Sequence, residues 1–176
     1  MSFNAIGQAS DWDFKFNQII NYTEFSSMFD NFRIDYVIMK MQLITNPDAN
    51  TLNNVNSTFN SNNWFPKLWY IRDYDGGGSE TLSSIKERQG VSFFVLKPNK
   101  EYSIKIMPKV AVQTYRTSTT TGYAPKRLFL DFVNGLDVPH YGLKTVFDTL
   151  GVDPSDSTGF QVRWEVKYYF TCKDVR

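Results

Sequence analysis

One histidine, His140, and one cysteine, Cys172, are all that this 176-residue chain offers to thiol–imidazole or transition-metal chemistry. A nucleophilic Cys needs a base beside it, and hydrolytic metal sites draw on several His, Cys or carboxylate ligands. A Ser-His-Asp triad would have to recruit His140, which sits in Pro139-His140-Tyr141-Gly142-Leu143, and no Gly-x-Ser-x-Gly occurs anywhere. His140 therefore reads as a turn or interface hydrogen-bonder. Cys172 cannot form an internal disulfide and reads as a small buried hydrophobe on the apolar side of a strand. Asp73 and Asp75, ahead of Gly76-Gly77-Gly78, resemble the opening of a calcium loop, but the other ligands and the closing Glu are missing, so a solvated turn is expected. No pair of carboxylates stands out for glycoside chemistry. These residues point away from an enzyme, and no cofactor or metal is expected.

Charge and aromatics are more informative. The net charge is only +1, which makes no global case for nucleic acid or membrane. Within residues 97–127, however, Lys97, Lys100, Lys105, Lys109, Arg116, Lys126 and Arg127 stand against Glu101 alone, a segment charge of +6 that leaves −5 elsewhere. Clustered Lys and Arg are rewarded by counterion release at phosphates, so these seven are the candidate nucleic-acid-binding residues. A basic surface of this kind also suits sulfated host cell-surface glycans. Trp64, Trp69 and Tyr70 flank an Asn-rich segment and could form an aromatic platform for sugars or bases; core or subunit contacts are the commoner use of such residues.

The elements that must position these groups are strands. Hydrophobic residues make up 41 % of the chain and aromatics 16 %, with fifteen Phe and ten Tyr, a composition that favours β-structure around a sizeable core. Residues 160–172 alternate without a break: Phe160, Val162, Trp164, Val166, Tyr168, Phe170 and Cys172 on one side, Gln161, Arg163, Glu165, Lys167, Tyr169 and Thr171 on the other. Period two at about 3.3 Å per residue makes a strand roughly 40 Å long, enough to cross a whole sandwich wall. Residues 11–20 read as a first strand, Thr23 as the N-cap of a short helical turn over 24–29, and residues 32–44 as a second long strand. The apolar side of that strand switches near Tyr36–Met39, so it is bulged or covered on both faces, the second cover coming from another copy. Residues 46–63, with eight Asn, read as a long polar loop. Further strands are expected over 67–73, 91–96, 102–107 and 127–133. Lys97-Pro98-Asn99-Lys100 punctuates a hairpin and 117–122 forms a Thr-rich loop, while 144–150 fits helix or strand equally. No stretch approaches the length of a membrane span and no secretory signal opens the chain, so a protein neither secreted by that route nor inserted in a membrane is expected. About eight strands, unequal loops and no crossover helices predict an all-β, single jelly-roll domain over residues 1–176.

With these segments in place, Phe29-Asp30-Asn31-Phe32-Arg33-Ile34-Asp35-Tyr36-Val37-Ile38-Met39-Lys40-Met41 resembles the "FxxYRIxxVxVxF" stretch of capsid proteins from circular, Rep-encoding single-stranded DNA viruses, the circovirus-like group. Trp69-Tyr70-Ile71-Arg72-Asp73-Tyr74-Asp75 is similar to their strand ending in paired acids. Leu96-Lys97-Pro98 through Ile106-Met107-Pro108-Lys109 is similar to their middle strands, and His140-Tyr141-Gly142-Leu143 with the last strand to their closing "HxGL … VxxxYYVxF" region. The likeness runs in order along the whole chain. It implies a jelly roll whose copies form a homo-oligomeric T=1 icosahedral shell around circular single-stranded DNA, located in the virion and assembled in the host nucleus. It also implies antiparallel pairing of the first and last strands. Two features depart from the family: no Arg-rich arm precedes the first strand, and Asp35 and Val37 interrupt the basic cluster that some relatives carry on the second long strand. A jelly-roll carbohydrate-binding module using Trp64, Trp69 and the turn at 73–78 is the alternative; self-assembly separates the two.

Overall fold

The computed structural model describes residues 9–44, 66–76, 78, 80–97, 99–116, 121–148 and 161–175. Along these run β1 (Ala9–Phe14), a 3-10 turn (Phe16–Gln18), α1 (Tyr22–Met28), β2 (Phe29–Ile44), β3 (Lys67–Ile71), α2 (Leu82–Glu87), β4 (Ser92–Val95), β5 (Glu101–Ile106), β6 (Lys109–Arg116), β7 (Thr121–Lys126), β8 (Leu130–Asp131), β9 (His140–Asp148) and β10 (Gln161–Val175). Residues 46–63 and Trp64 lie outside the described residues.

All pairings are antiparallel, in two sheets. The four-stranded sheet runs β10-β2-β5, with β8 also on β2. The six-stranded sheet runs β4-β3-β9-β6-β7. β1 and β3 both pair with Lys144–Val146 of β9, so β1 must occupy the opposite edge of β9 from β3. The inner faces meet over a core centred on Phe16, whose ring lies 4.3 Å from Phe32, 4.9 Å from Phe170 and 5.1 Å from Phe132. The contacts with Phe132 and Phe170 are edge-to-face, an arrangement that adds to simple burial.

Both long strand patterns are interrupted by a bulge, and the bulges decide which side chains reach the core. In β2, Tyr36 pairs with Tyr169 but Ile34 with Phe170, which leaves Asp35 as the extra residue. The facing of the strand inverts there: Phe32 and Ile34 point inward before it, Val37, Met39, Met41 and Leu43 after it. The two-faced pattern is thus a bulge, and no second cover is needed to explain it. In β9, Trp12 pairs with Leu143 but Asp13 with Tyr141, so Gly142 is extra. A Cβ there would stand 2.8 Å from Ile106 Cγ2.

Several expectations are corrected. The last strand pairs with β2 and the first with β9, so the two do not form a ladder. They meet instead as edge strands of opposite sheets, with Trp12 and Trp164 at 5.0 Å and Phe14 and Tyr168 at 6.2 Å. The first strand ends at Phe14, because the chain turns at Phe16–Gln18 to drive Phe16 into the core centre. The helical turn starts two residues earlier than expected: Asn21, at φ 62°, is its N-cap, and Thr23 lies inside α1. β4 and β5 belong to different sheets, so residues 97–100 connect the layers and close no hairpin. The hairpin is β6–β7, whose second strand begins at Thr121, so the last two residues of the expected Thr-rich loop are strand and 117–120 lie outside the described residues, while 127–133 pairs only at Leu130–Asp131.

Helix α2 went unpredicted. Thr81 caps it by accepting a hydrogen bond from the Ser84 N–H at 3.1 Å, and Ile85 packs with Ile71 and Val146 on the outer face of the six-stranded sheet. β9 is therefore covered on both faces, and its seven residues from Gly142 to Asp148 are all buried. That erases the period-two signal and explains why residues 144–150 fit either structure.

Candidate nucleic-acid interface

The outer face of the four-stranded sheet carries no helix among the described residues. Alternation places Tyr36, Ile38 and Lys40 of β2, Ser103 and Lys105 of β5, and Arg163, Lys167 and Tyr169 of β10 on it. Ile38 lies cross-strand to both Lys105 and Lys167. One step along, Tyr36 and Tyr169 stack at 4.3 Å with 16° between their planes, and the Lys105 ammonium rests 4.0 Å from the Tyr36 ring. Tyr169 is 40 % exposed, so the stack is open to solvent. Lys105 pairs with no acid among the described residues, whereas Lys40 and Lys167 are held by Glu101 at 2.7 Å and Glu165 at 3.0 Å.

Beyond the stack, the bulge residue Asp35 gathers Arg33 at 2.8 Å, Arg127 at 3.0 Å and the Thr171 hydroxyl at 2.5 Å. Burial works against the Asp35 carboxylate, but these donors outweigh it and hold its pKa below the usual value. Arg33 and Lys173 then flank the Phe129 ring at 4.6 and 4.5 Å. An exposed ring such as Tyr169, beside surface cations, can take a base on its face and a phosphate on the ammonium.

The seven basic residues singled out from sequence do not converge. Lys105 and Arg127 reach this face. Lys109 starts β6 in the other sheet, 4.5 Å from the Tyr74 ring, with exposed Lys126 paired to its neighbour Val110, and Arg116 is exposed at the far end of that hairpin. Lys97 and Lys100 are exposed on the connector between layers, Lys100 being 5.1 Å from the Tyr102 ring. Contiguity in sequence missed Tyr36, Tyr169, Lys167 and Arg163, because β2 and β10 are joined only by folding. One signal was available: Tyr169 sits on the polar side of an otherwise alternating strand.

The remaining candidates are structural. Trp69 and Tyr70 point to opposite faces of β3, Trp69 toward Phe93 at 4.7 Å and Tyr70 into the core against Phe94 at 5.1 Å, so they form no common platform. Asp73 is not in a solvated turn: it is buried, bonded to Arg88 and 3.0 Å from the buried Lys144 ammonium, which also lies 3.2 Å from Asp75 and 3.9 Å from Glu80. Lysine thus fills the place between the carboxylates that a cation would need. His140 is buried in the core, away from any turn surface, and Cys172 is half-buried against the same core, with burial raising its thiol pKa.

The sandwich closely parallels solved shell proteins. A crystal structure of a 60-mer of the BFDV capsid protein superposes with a TM-score of 0.62 at 12 % identity, covering 94 % of this chain and 80 % of that one. A decamer of the BFDV capsid protein gives a TM-score of 0.52 at 14 % identity, covering 96 % and 85 %. These likenesses identify the fold as a jelly roll. No curated protein matches the chain. Residues 3–176 match the Circovirus capsid protein family over nearly the whole sequence, and the chain therefore belongs to that family, as a structural subunit of a viral capsid.

Proposed function

We propose that sixty copies of this chain close a T=1 icosahedral shell around a circular single-stranded DNA genome, in a virion assembled in the host nucleus, and that the outer face of the four-stranded sheet is the surface turned to the DNA. The 60-mer formed by the BFDV capsid protein supports the shell. The observation that carries the DNA assignment is the Tyr36–Tyr169 stack, open at Tyr169, with the Lys105 ammonium, unpaired among the described residues, at 4.0 Å. Stacking tolerates any base and cations attract any phosphate, so binding is weak and without sequence preference. The role is structural, and residues 1–176 act as one jelly-roll domain. Of the seven basic residues, Lys105 and Arg127 serve this face, while Lys97, Lys100, Lys109, Arg116 and Lys126, on other surfaces of the subunit, contact DNA elsewhere in the shell or host cell-surface glycans.

Negative-stain imaging and sedimentation of the purified protein test the shell: closed particles are expected, and monomer alone across salt and protein concentration would overturn it. Dissociated subunits and closed shells, each assayed with single-stranded DNA and heparin, test the facing. DNA binding by subunits that is lost in Tyr36→Ala/Tyr169→Ala, by about 1–3 kcal/mol per stacked base, supports it. Heparin capture by closed shells with no DNA binding by subunits would place the cations outside.

A further inference from the structure

His140 is the chain's one histidine, and it is 2 % exposed. The bulge at Gly142 turns it inward, where it is the cross-strand neighbour of Phe14 on β1 and of Val110 on β6. Three strands therefore join at this residue, with Phe32 of β2 facing the ring at 6.5 Å. Nδ1 lies 3.0 Å from the Val138 carbonyl oxygen and donates to it, and Nε2 is left buried with no hydrogen-bond partner among the described residues. A proton on Nε2 would create a cation with no counter-ion. On β1, Asp13 and Lys15 pair with each other at 2.9 Å; on β6, Lys109 caps Tyr74; on β2, Arg33 and Asp35 pair on the outer face; Asp137, before the strand, is exposed. None of these charges faces the imidazole.

We propose that His140 is an acid-sensing latch: held neutral where β1, β6 and β9 join, it accepts a second proton only when that junction opens, so that mild acidification loosens the subunit. In the closed junction, burial outweighs the backbone carbonyls of Val138 and Phe14, which favour the charged form, and keeps the imidazole below its ordinary pKa of 6.5. The opened chain binds the proton near the ordinary value, so stability is fully present above that pH and is lost as the pH falls from it toward the depressed folded value. Ordinary carboxylates titrate below about pH 5. Asp11, whose pKa is raised chiefly by burial, acts in the opposite sense, gaining stability on acidification. A loss of stability between about pH 6.5 and 5 therefore belongs to His140.

The test is urea unfolding of the subunit between about pH 7.5 and 5 for the wild type, His140→Gln and His140→Phe, with light scattering of assembled particles over the same range. The wild-type unfolding constant should rise up to about tenfold per pH unit below pH 6.5, and the folded variants should lack that rise, keeping only the opposite contribution of Asp11. Equal pH slopes in the wild type and a folded variant would overturn the latch. Should neither variant fold, the Cε1–H resonance of the single histidine decides. A folded-state signal unmoved through about pH 6, while the urea-unfolded signal titrates, supports the latch; a folded signal titrating near the ordinary value overturns it. The subunit readings stand whether or not a shell forms, and so separate failure of the latch from failure of the shell assignment.

Discussion

At Trp164 the indole meets Trp12 at 5.0 Å and Phe147 edge-on at 6.4 Å, while its Nε1–H is buried with no acceptor among the described residues. Trp164→Ala is expected to cost about 3–5 kcal/mol, read as a lowered urea midpoint at unchanged slope. Trp164→Phe keeps a ring and removes the orphaned donor, so it should cost much less; equal losses in the two would show that the ring is not what packs. Lys144 presents the opposite situation, a buried cation whose value lies in its partners. Burial disfavours its charged form, but Asp73 and Asp75 outweigh that and raise its pKa above 10.5. Asp73 is shifted the other way: burial opposes ionisation, and the hydrogen bonds around Asp75 and from Lys144 and Arg88 hold it well below 3.8. The stability that Lys144 contributes is thus fully present below pH 10.5 and lost as the pH rises through its folded value; that of Asp73 is present above pH 3.8 and lost as the pH falls through its folded value. Lys144→Met strands the carboxylates and should cost about 3–5 kcal/mol near neutrality, with both pH limbs flattened. A pH–stability profile of the variant that keeps the wild-type limbs would show that the cluster is not what produces them.

Elements here owe their facing to single extra residues. Gly142 lets β9 present His140 and Leu143 to the core on either side of a bulge, and its missing Cβ leaves room for Ile106. Gly142→Ala should cost about 1–3 kcal/mol, because the neighbour at 2.8 Å is a branched core side chain with little freedom to move. Thermal unfolding checks it, and a variant as stable as wild type would mean that the bulge relaxes. Asp35 performs the same inversion in β2, and its side chain becomes the anchor for Arg33, Arg127 and Thr171 on the face opposite the core. A residue required by strand geometry thereby organises the basic surface as well.

Across the whole molecule the two outer faces differ in kind. One is covered by α2 and an internal ion cluster; the other is bare among the described residues, basic and aromatic. If the bare face meets DNA, each phosphate neutralised on a single strand adds roughly 0.7 to the log–log salt slope of binding. Lys105→Glu should flatten that slope and Lys126→Glu, on the other sheet, should leave it nearly unchanged. Fluorescence titrations at several salt concentrations measure both, and the reverse ranking would move the interface to the β6–β7 hairpin.

The sequence by itself determined the strand content, the long closing strand and the family, because period-two alternation and ordered local motifs survive without tertiary context. It also carried the bulge in β2, whose mark is a switch of apolar side within one strand. Strand partners were beyond it: alternation says which way a side chain points, never which neighbour supplies the ladder, so the first and last strands were expected to pair and instead pack across the sandwich. β9 was ambiguous because α2 covers its second face, and a doubly covered strand loses its period. The DNA-facing candidate was half visible. Lys105 and Arg127 stood out in a contiguous basic run, but Tyr36, Lys167 and Tyr169 come together only when β2 and β10, separated by most of the chain, are zipped side by side. Burial decided the rest, turning Asp73 from a solvated turn residue into the partner of a hidden lysine and His140 from a loop histidine into a core group at a three-strand junction.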